Sequence, residues 1–192
     1  MNKICFVTGN KNKLREVQKL LFSYHLLSLD DINFTDEILE TEDTIEANAF
    51  LKANHIHKKF KINCFSDDTG LFIDALDGQP GVKSARFAGV DSNSEDNIRL
   101  VLKKLDGEEN RIAVFKTVIC LIVSGNVHYF DGEVKGQISK EKAGDRGFGY
   151  DPIFIPEGFN KTFSEFTLEE KNKLSHRAIA VDKLVNFLNG YE

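Results

Sequence analysis

The run from Ile112 to Val123 is the most apolar in the chain, and the sequence turns back directly after it. Ser124-Gly125-Asn126 supplies a turn, and Val127-His128-Tyr129-Phe130 returns from it. That combination predicts a β-hairpin. Gly132-Glu133-Val134-Lys135-Gly136-Gln137-Ile138 reads as further strand, broken by glycines. With 192 residues the chain is long enough for one sizeable core, or for two lobes that share a sheet.

Helices and more strands flank the hairpin. Ile4-Cys5-Phe6-Val7 is continuously apolar, as a strand buried on both faces requires. It ends in Thr8-Gly9-Asn10-Lys11-Asn12-Lys13, after which Leu14, Val17, Leu20 and Leu21 recur with helical spacing. A second helix is expected behind Thr44, a candidate N-cap, with Ile45, Ala49, Ala53, Ile56 and Phe60 forming one apolar stripe. Asn48 and Lys52 stand four apart and share a face, which either meets a ligand or looks into solvent. His55 and His57 are two apart, do not face each other on a helix and read as surface residues. Ser92 and Glu95 have capping-box spacing ahead of a third helix that buries Ile98, Val101, Leu102 and Leu105, with Gly107 as its stop. Thr167 and Glu170 repeat that spacing at a short helix. Ser175 is a candidate cap for the last helix, whose apolar face is Ala178, Val181, Leu184, Val185 and Leu188.

Four stretches carry residues suited to chemistry. In the first, a strand, a glycine turn with lysine and a helix start suit an anion, because leading N–H groups and an ammonium both favour one. A plain strand-to-helix turn has the same composition, and the Gly-Lys-Ser/Thr ending of a P-loop is absent. In the second, Ser66-Asp67-Asp68-Thr69-Gly70 follows the apolar run Ile62-Asn63-Cys64-Phe65. Two carboxylates at a strand-to-loop edge can hold a divalent cation, since Mg²⁺ takes one or two protein carboxylates together with substrate phosphates. A solvated turn accounts for the same residue types. In the third, Gly147-Phe148-Gly149-Tyr150-Asp151-Pro152 alternates glycines with aromatics. Glycine lets a flat ligand approach the backbone and an aromatic face gives a base a stacking surface, whereas a tight turn with aromatics plugging the core has the same pattern. In the fourth, His176 and Arg177 fall in the first turn of the last helix, where their donors either meet acceptor oxygens or are solvated.

Composition excludes several classes. The net charge of −5 gives no polyanion-binding surface, although a few local lysines can still hold a small anion. The three cysteines, Cys5, Cys64 and Cys120, lie in apolar runs without CxxC spacing. They read as buried thiols of a reducing compartment. No stretch approaches the roughly 18 apolar residues of a membrane span, and no cationic leader precedes the first strand, so a cytoplasmic protein with no membrane and no nucleic-acid partner is expected.

Taken in order, Thr8-Gly9-Asn10-x-x-Lys13, Ser66-Asp67-Asp68-Thr69-Gly70-Leu71, Gly78-x-Pro80-Gly81-x-x-Ser84-Ala85-Arg86-Phe87, Gly147-Phe148-Gly149-Tyr150-Asp151-Pro152 and Ser175-His176-Arg177 form a set. The chain resembles the inosine triphosphate pyrophosphatase family, or Ham1-like proteins, from Lys3 to about Leu188. The resemblance implies an α/β fold: an elongated central mixed β-sheet with flanking helices, and two lobes around a nucleotide cleft, all in a single domain over residues 1–192. It implies a homodimer, and a reaction in which a noncanonical purine nucleoside triphosphate (ITP, dITP or XTP) plus water gives the monophosphate and pyrophosphate with Mg²⁺.

It also implies roles. Thr8, Gly9, Asn10, Lys11, Asn12 and Lys13 match the triphosphate cradle, and Lys52 a further phosphate contact. Asp68 matches the general base and a metal ligand, Glu40 the second metal carboxylate, and Thr69 a neighbouring substrate contact. Phe148, Gly149, Tyr150 and Asp151 match the stretch that stacks on and brackets the base. Lys171, His176 and Arg177 match readers of the base edge. Two departures bear on the metal region: Glu42 stands where the family usually has glycine, and Ala47 where it usually has glutamate. Asp67 either helps Asp68 or orients it. A pyrophosphatase for other nucleoside triphosphates and a non-catalytic nucleotide-binding protein are the competing readings.

Overall fold

The computed structural model describes residues 3–91 and 93–190. They divide into two compact units. The first comprises the chain up to Asp68, Thr117–Gly132 and the chain from Arg177 on; the second comprises Thr69–Lys116 and Glu133–His176. Together they carry a mixed α/β fold.

In the first unit, β1 (Lys3–Phe6) pairs in parallel with β2 (His25–Leu27) on one side and with β3 (Cys64–Ile73) on the other. The order continues β3-β5-β6, with β5 spanning Ile112–Val123 and β6 Asn126–Ile138. The expected hairpin is β5–β6. Its two-residue turn has Ser124 at φ 50° and Gly125 at φ 80°, the positive pair that matches the twist of a tight hairpin. β6 runs unbroken through the glycines expected to interrupt it. Gly136 lies there opposite Pro156, and a Cβ on it would strike Ile155 O, so glycine permits the pairing rather than ending it.

Two faces of this sheet are covered by different helices. Residues of α1 (Lys11–Leu20) and α5 (His176–Asn189) pack with Ile4, Phe6, Phe65, Ile119 and Leu121. The opposite face brings Cys5, Val7, Cys64, Cys120 and Ile122 against Ala49, Ala53 and Ile56 of α2 (Ile45–Phe60). Thr44 caps α2 as expected, its hydroxyl accepting from Ala47 N at 3.1 Å. His55 is exposed, while His57 is half-buried and its Nδ1 lies 2.9 Å from Ile62 O. All three thiols are free and buried, as expected. β2 is absent from the sequence reading because three residues carry too little pattern to announce a strand.

The second unit continues the sheet as β3, β5, β6 and β7 (Phe154–Pro156), with the short β4 (Pro80–Gly81) antiparallel to β3. Its core joins Leu71, Ile73, Phe115, Ile138, Phe154 and Phe163 to Ile98 and Val101 of α3 (Ser94–Lys104). The expectation of a cap at Ser92 lies outside the described residues; the capping box is made by Asn93 and Asp96. The short α4 (Leu168–Lys171) has the box foreseen at Thr167 and Glu170. No helix among the described residues is long and apolar enough to cross a membrane.

Candidate active site

Asp67 and Asp68 occupy the middle of a strand. The sequence placed them at a strand-to-loop edge, but β3 runs from Cys64 to Ile73 without a break. It continues because both carboxylates find cations, and because Gly70, where a Cβ would meet Phe72 and Gly81 O, leaves room for β4. Successive side chains of a strand point to opposite faces. Phe65 packs with α1 and α5, so Asp67 faces them too; Cys64 packs with α2, so Ser66 and Asp68 face α2. Ser66 confirms the parity by donating to Ala49 O within α2.

On the first face, Asp67 is buried and ionic. Lys13 Nζ donates to its Oδ1 at 3.1 Å and Arg177 Nε to its Oδ2 at 3.0 Å. Arg177 Nη1 also donates to Glu16 Oε2 at 2.5 Å. Burial alone would raise the Asp67 pKa, but Lys13 and Arg177 outweigh it and hold the carboxyl far below its usual range. Arg177 is held above its ordinary value, the pull of Asp67 and Glu16 exceeding the burial penalty, while burial holds Lys13 below its own. Glu16 was missed in the sequence. Its one signal was a carboxylate three residues after Lys13, beside the apolar positions of α1.

On the second face, Lys52 Nζ donates to Glu40 Oε1 and lies 3.5 Å from Asp68 Oδ1. Asp68 is 5 % exposed, and its Oδ2 is buried with no hydrogen-bond partner. Burial raises the Asp68 pKa, Lys52 counteracting it only in part. Lys52 is raised in turn, Asp68 and Glu40 outweighing its burial. The face shared by Asn48 and Lys52 therefore looks inward, both residues being buried. Two neighbours in sequence thus have their acidities moved in opposite directions: Asp67 is a fixed anion and Asp68 a more basic carboxylate, a separation that divides roles between paired acids.

Close by in the same unit, Asn10 caps α1. Its Oδ1 accepts from Asn12 N at 2.9 Å and Lys13 N at 3.2 Å, and Asn10 N donates to Thr8 Oγ1 at 3.1 Å. Thr8 is half-buried, and Gly9, Lys11 and Asn12 are exposed. Apart from Gly9 and its two chain neighbours, no heavy atom lies within 4 Å of where a Gly9 Cβ would stand.

The second unit holds the other expected residues. Lys171 Nζ donates to Asp151 Oδ2 at 2.6 Å, and Phe148 N donates to the same oxygen at 2.8 Å. The ammonium also lies 4.9 Å from the Phe148 ring centroid, within cation–π reach. Gly147, at φ 75°, is fixed by this carboxylate, which a Cβ would strike; Gly149 follows at φ 61°. Tyr150 is buried, its hydroxyl donating to Ser84 O at 2.8 Å, and burial raises its pKa. Buried His176 stacks on Phe115 with centroids 4.5 Å apart, and Thr69 is half-buried. Arg177, expected beside His176 at the base edge, is one residue on and belongs to the first unit, with its guanidinium on Asp67 and Glu16.

One strand thus sets a fixed anion against one face and a more basic carboxylate against the other, with lysines beside both, within an α/β fold. Comparison with known proteins makes this specific: the Ham1 family model matches residues 4–187, and the chain belongs to the Ham1 family. A dITP/XTP pyrophosphatase of Flavobacterium johnsoniae is 51% identical over 187 residues, covering 97% of each chain. The Ham1 protein of Staphylococcus aureus superposes with a TM-score of 0.89 at 35% identity, covering 100% of both chains. A HAM1 protein from Coxiella burnetii does so with 0.91 at 34% identity, covering 99% of this chain and 100% of that one.

Proposed function

We propose that this protein hydrolyses noncanonical purine nucleoside triphosphates, of the dITP and XTP type, to the monophosphate and pyrophosphate. The observation that carries the reading is Asp68, a buried carboxylate of raised basicity with one unpartnered oxygen. Such a group can take the proton of a water attacking the α-phosphorus. The 51% identical relative is itself a dITP/XTP pyrophosphatase, which supports the substrate class.

A divalent cation, Mg²⁺ in this reading, fits the donors present. Asp68 and Glu40 offer two hard carboxylates, and the described residues contain no group of three or more metal-ligating side chains. Two carboxylates completed by substrate phosphates is the usual Mg²⁺ arrangement. The ion supplies charge neutralisation on the polyphosphate. Lys13 and Lys52 add to it, and the open space at Gly9 admits phosphate to Thr8, Asn10, Lys11 and Asn12. Because Asn10 Oδ1 occupies the N–H groups of Asn12 and Lys13, phosphate meets those amides only if that cap shifts.

The base is assigned to Phe148, Gly149, Asp151, Lys171 and His176, with Tyr150 and Thr69 as framework and neighbour. Lys171 and His176 can donate to a 6-keto oxygen and leave an adenine amino group facing donors, a mismatch of about 1–3 kcal/mol per buried group. Arg177 contributes through Asp67, which its guanidinium holds and which in turn accepts from Lys13. The protein is taken to work as one functional domain, in a homodimer, in the cytoplasm.

The test is pyrophosphate release from a panel of ITP, dITP, XTP, GTP, ATP and dUTP, with and without Mg²⁺. Turnover confined to the inosine and xanthosine nucleotides, dependent on Mg²⁺ and lost in Asp68→Asn, is the expected result. Preference for ATP or dUTP would overturn the substrate class, and near-normal turnover by the variant would remove the base role from Asp68.

A further inference from the structure

Glu40 sits in a stretch, residues 37–42, that has neither helix nor strand to hold it. Two residues later the chain is gripped. Glu42 N donates to Asn48 Oδ1 at 3.0 Å, and Asn48 Nδ2 donates to Glu42 O at 3.1 Å. An amide side chain that satisfies both backbone groups of one residue acts like a neighbouring strand, fixing position and orientation together. Asn48 is 0% exposed and so is screened from water on its own side of both bonds, while Glu42 is exposed. It lies in α2 one turn before Lys52, the residue that receives Glu40. The grip and its target are therefore carried on one rigid helix.

The geometry points to Asn48 as a positioning residue for Glu40: its side-chain amide clamps the Glu42 peptide so that the Glu40 carboxylate is held over the Lys52–Asp68 face, ready for the divalent cation. The inference rests on the proposal that Glu40 helps to hold that cation. The clamp touches only the backbone of Glu42, so the side chain at that position is left to vary, and here it reaches Thr41 Oγ1 instead. An aspartate at 48 would keep the acceptor and lose the donor, setting an oxygen against Glu42 O.

The test uses the full chain with Mn²⁺ as the probe, titrated directly in the presence of a non-hydrolysable purine nucleoside triphosphate. Wild type, Asn48→Ala, Glu40→Gln and the double variant are compared. Asn48→Ala is expected to weaken Mn²⁺ binding by about 10-fold or more, the scale found for residues that orient metal ligands, while turnover at saturating metal stays within about twofold of wild type. The double variant is expected to bind Mn²⁺ no more weakly than Glu40→Gln alone, because the clamp has nothing left to position. If Glu40→Gln weakens binding and Asn48→Ala does not, or if the two losses add, the clamp role is overturned and the reading of Glu40 stands. If Glu40→Gln leaves Mn²⁺ binding unchanged, the reading of Glu40 falls and takes the inference with it. Should Asn48→Ala fail to fold, hydrogen exchange on the wild type decides: slow exchange of the Glu42 amide supports the clamp, and exchange as fast as an unstructured amide overturns it.

Discussion

Asp67 and Asp68 look interchangeable in the sequence and are opposites in the fold. Their residue types were legible. Their faces were not, because parity along a strand has meaning only once the strand is known to continue through them. The same gap hid Glu16, whose importance depends on Arg177, 161 residues away. The two aspartates should therefore respond differently to the same substitution. Asp67→Asn leaves buried Lys13 and Arg177 short of a counter-charge and should cost about 3–5 kcal/mol of stability in denaturant unfolding, as breaking a buried ion pair does. Asp68→Asn removes a carboxylate that burial disfavours, so its unfolding midpoint should stay near that of the wild type while activity is lost. Equal destabilisation by both would contradict the division of roles.

Among elements, those with a full period or a cap were visible beforehand. α2, with its Thr44 cap and apolar stripe, and the β5–β6 hairpin are examples. Those that failed had a local signal pointing the wrong way: glycines inside β6 and turn-forming residues inside β3 suggested breaks where tertiary pairing overrides them. The hairpin turn offers a direct check. Ser124 holds φ 50°, a conformation asparagine tolerates better than serine. Ser124→Asn should raise stability in thermal or denaturant unfolding, with no change in turnover. A loss of stability would mean that the turn depends on a serine contact.

For the whole molecule, the α/β class and the resemblance to the Ham1 family came from five ordered motifs. Two lobes came with that resemblance, but which residues make up each did not, since each unit is assembled from segments far apart in sequence. The three thiols report on one of those units as a body. Burial pushes Cys5, Cys64 and Cys120 up to about 12. A thiol in an unfolded chain has a pKa of about 8.5, so the folded state favours the neutral form. The stability this contributes is complete below about pH 8.5 and is lost as pH rises toward the folded values. Melting temperature should fall across that window, and less steeply in Cys64→Ala. At pH 8 a thiol reagent should label none of the three cysteines in the native protein and all three in denaturant. Rapid native labelling would show that this core opens.

The alternation of β3 also bears on how such a chain can change over time. Substitutions along Cys64–Ile73 alter one face at a time, so drift on one side need not disturb the other. A single inserted or deleted residue ahead of Asp67 is another matter: it would turn both carboxylates about the strand, carrying the fixed anion to Lys52 and the basic one to Lys13 and Arg177. Length, more than identity, is what lineages carrying this strand are least able to alter.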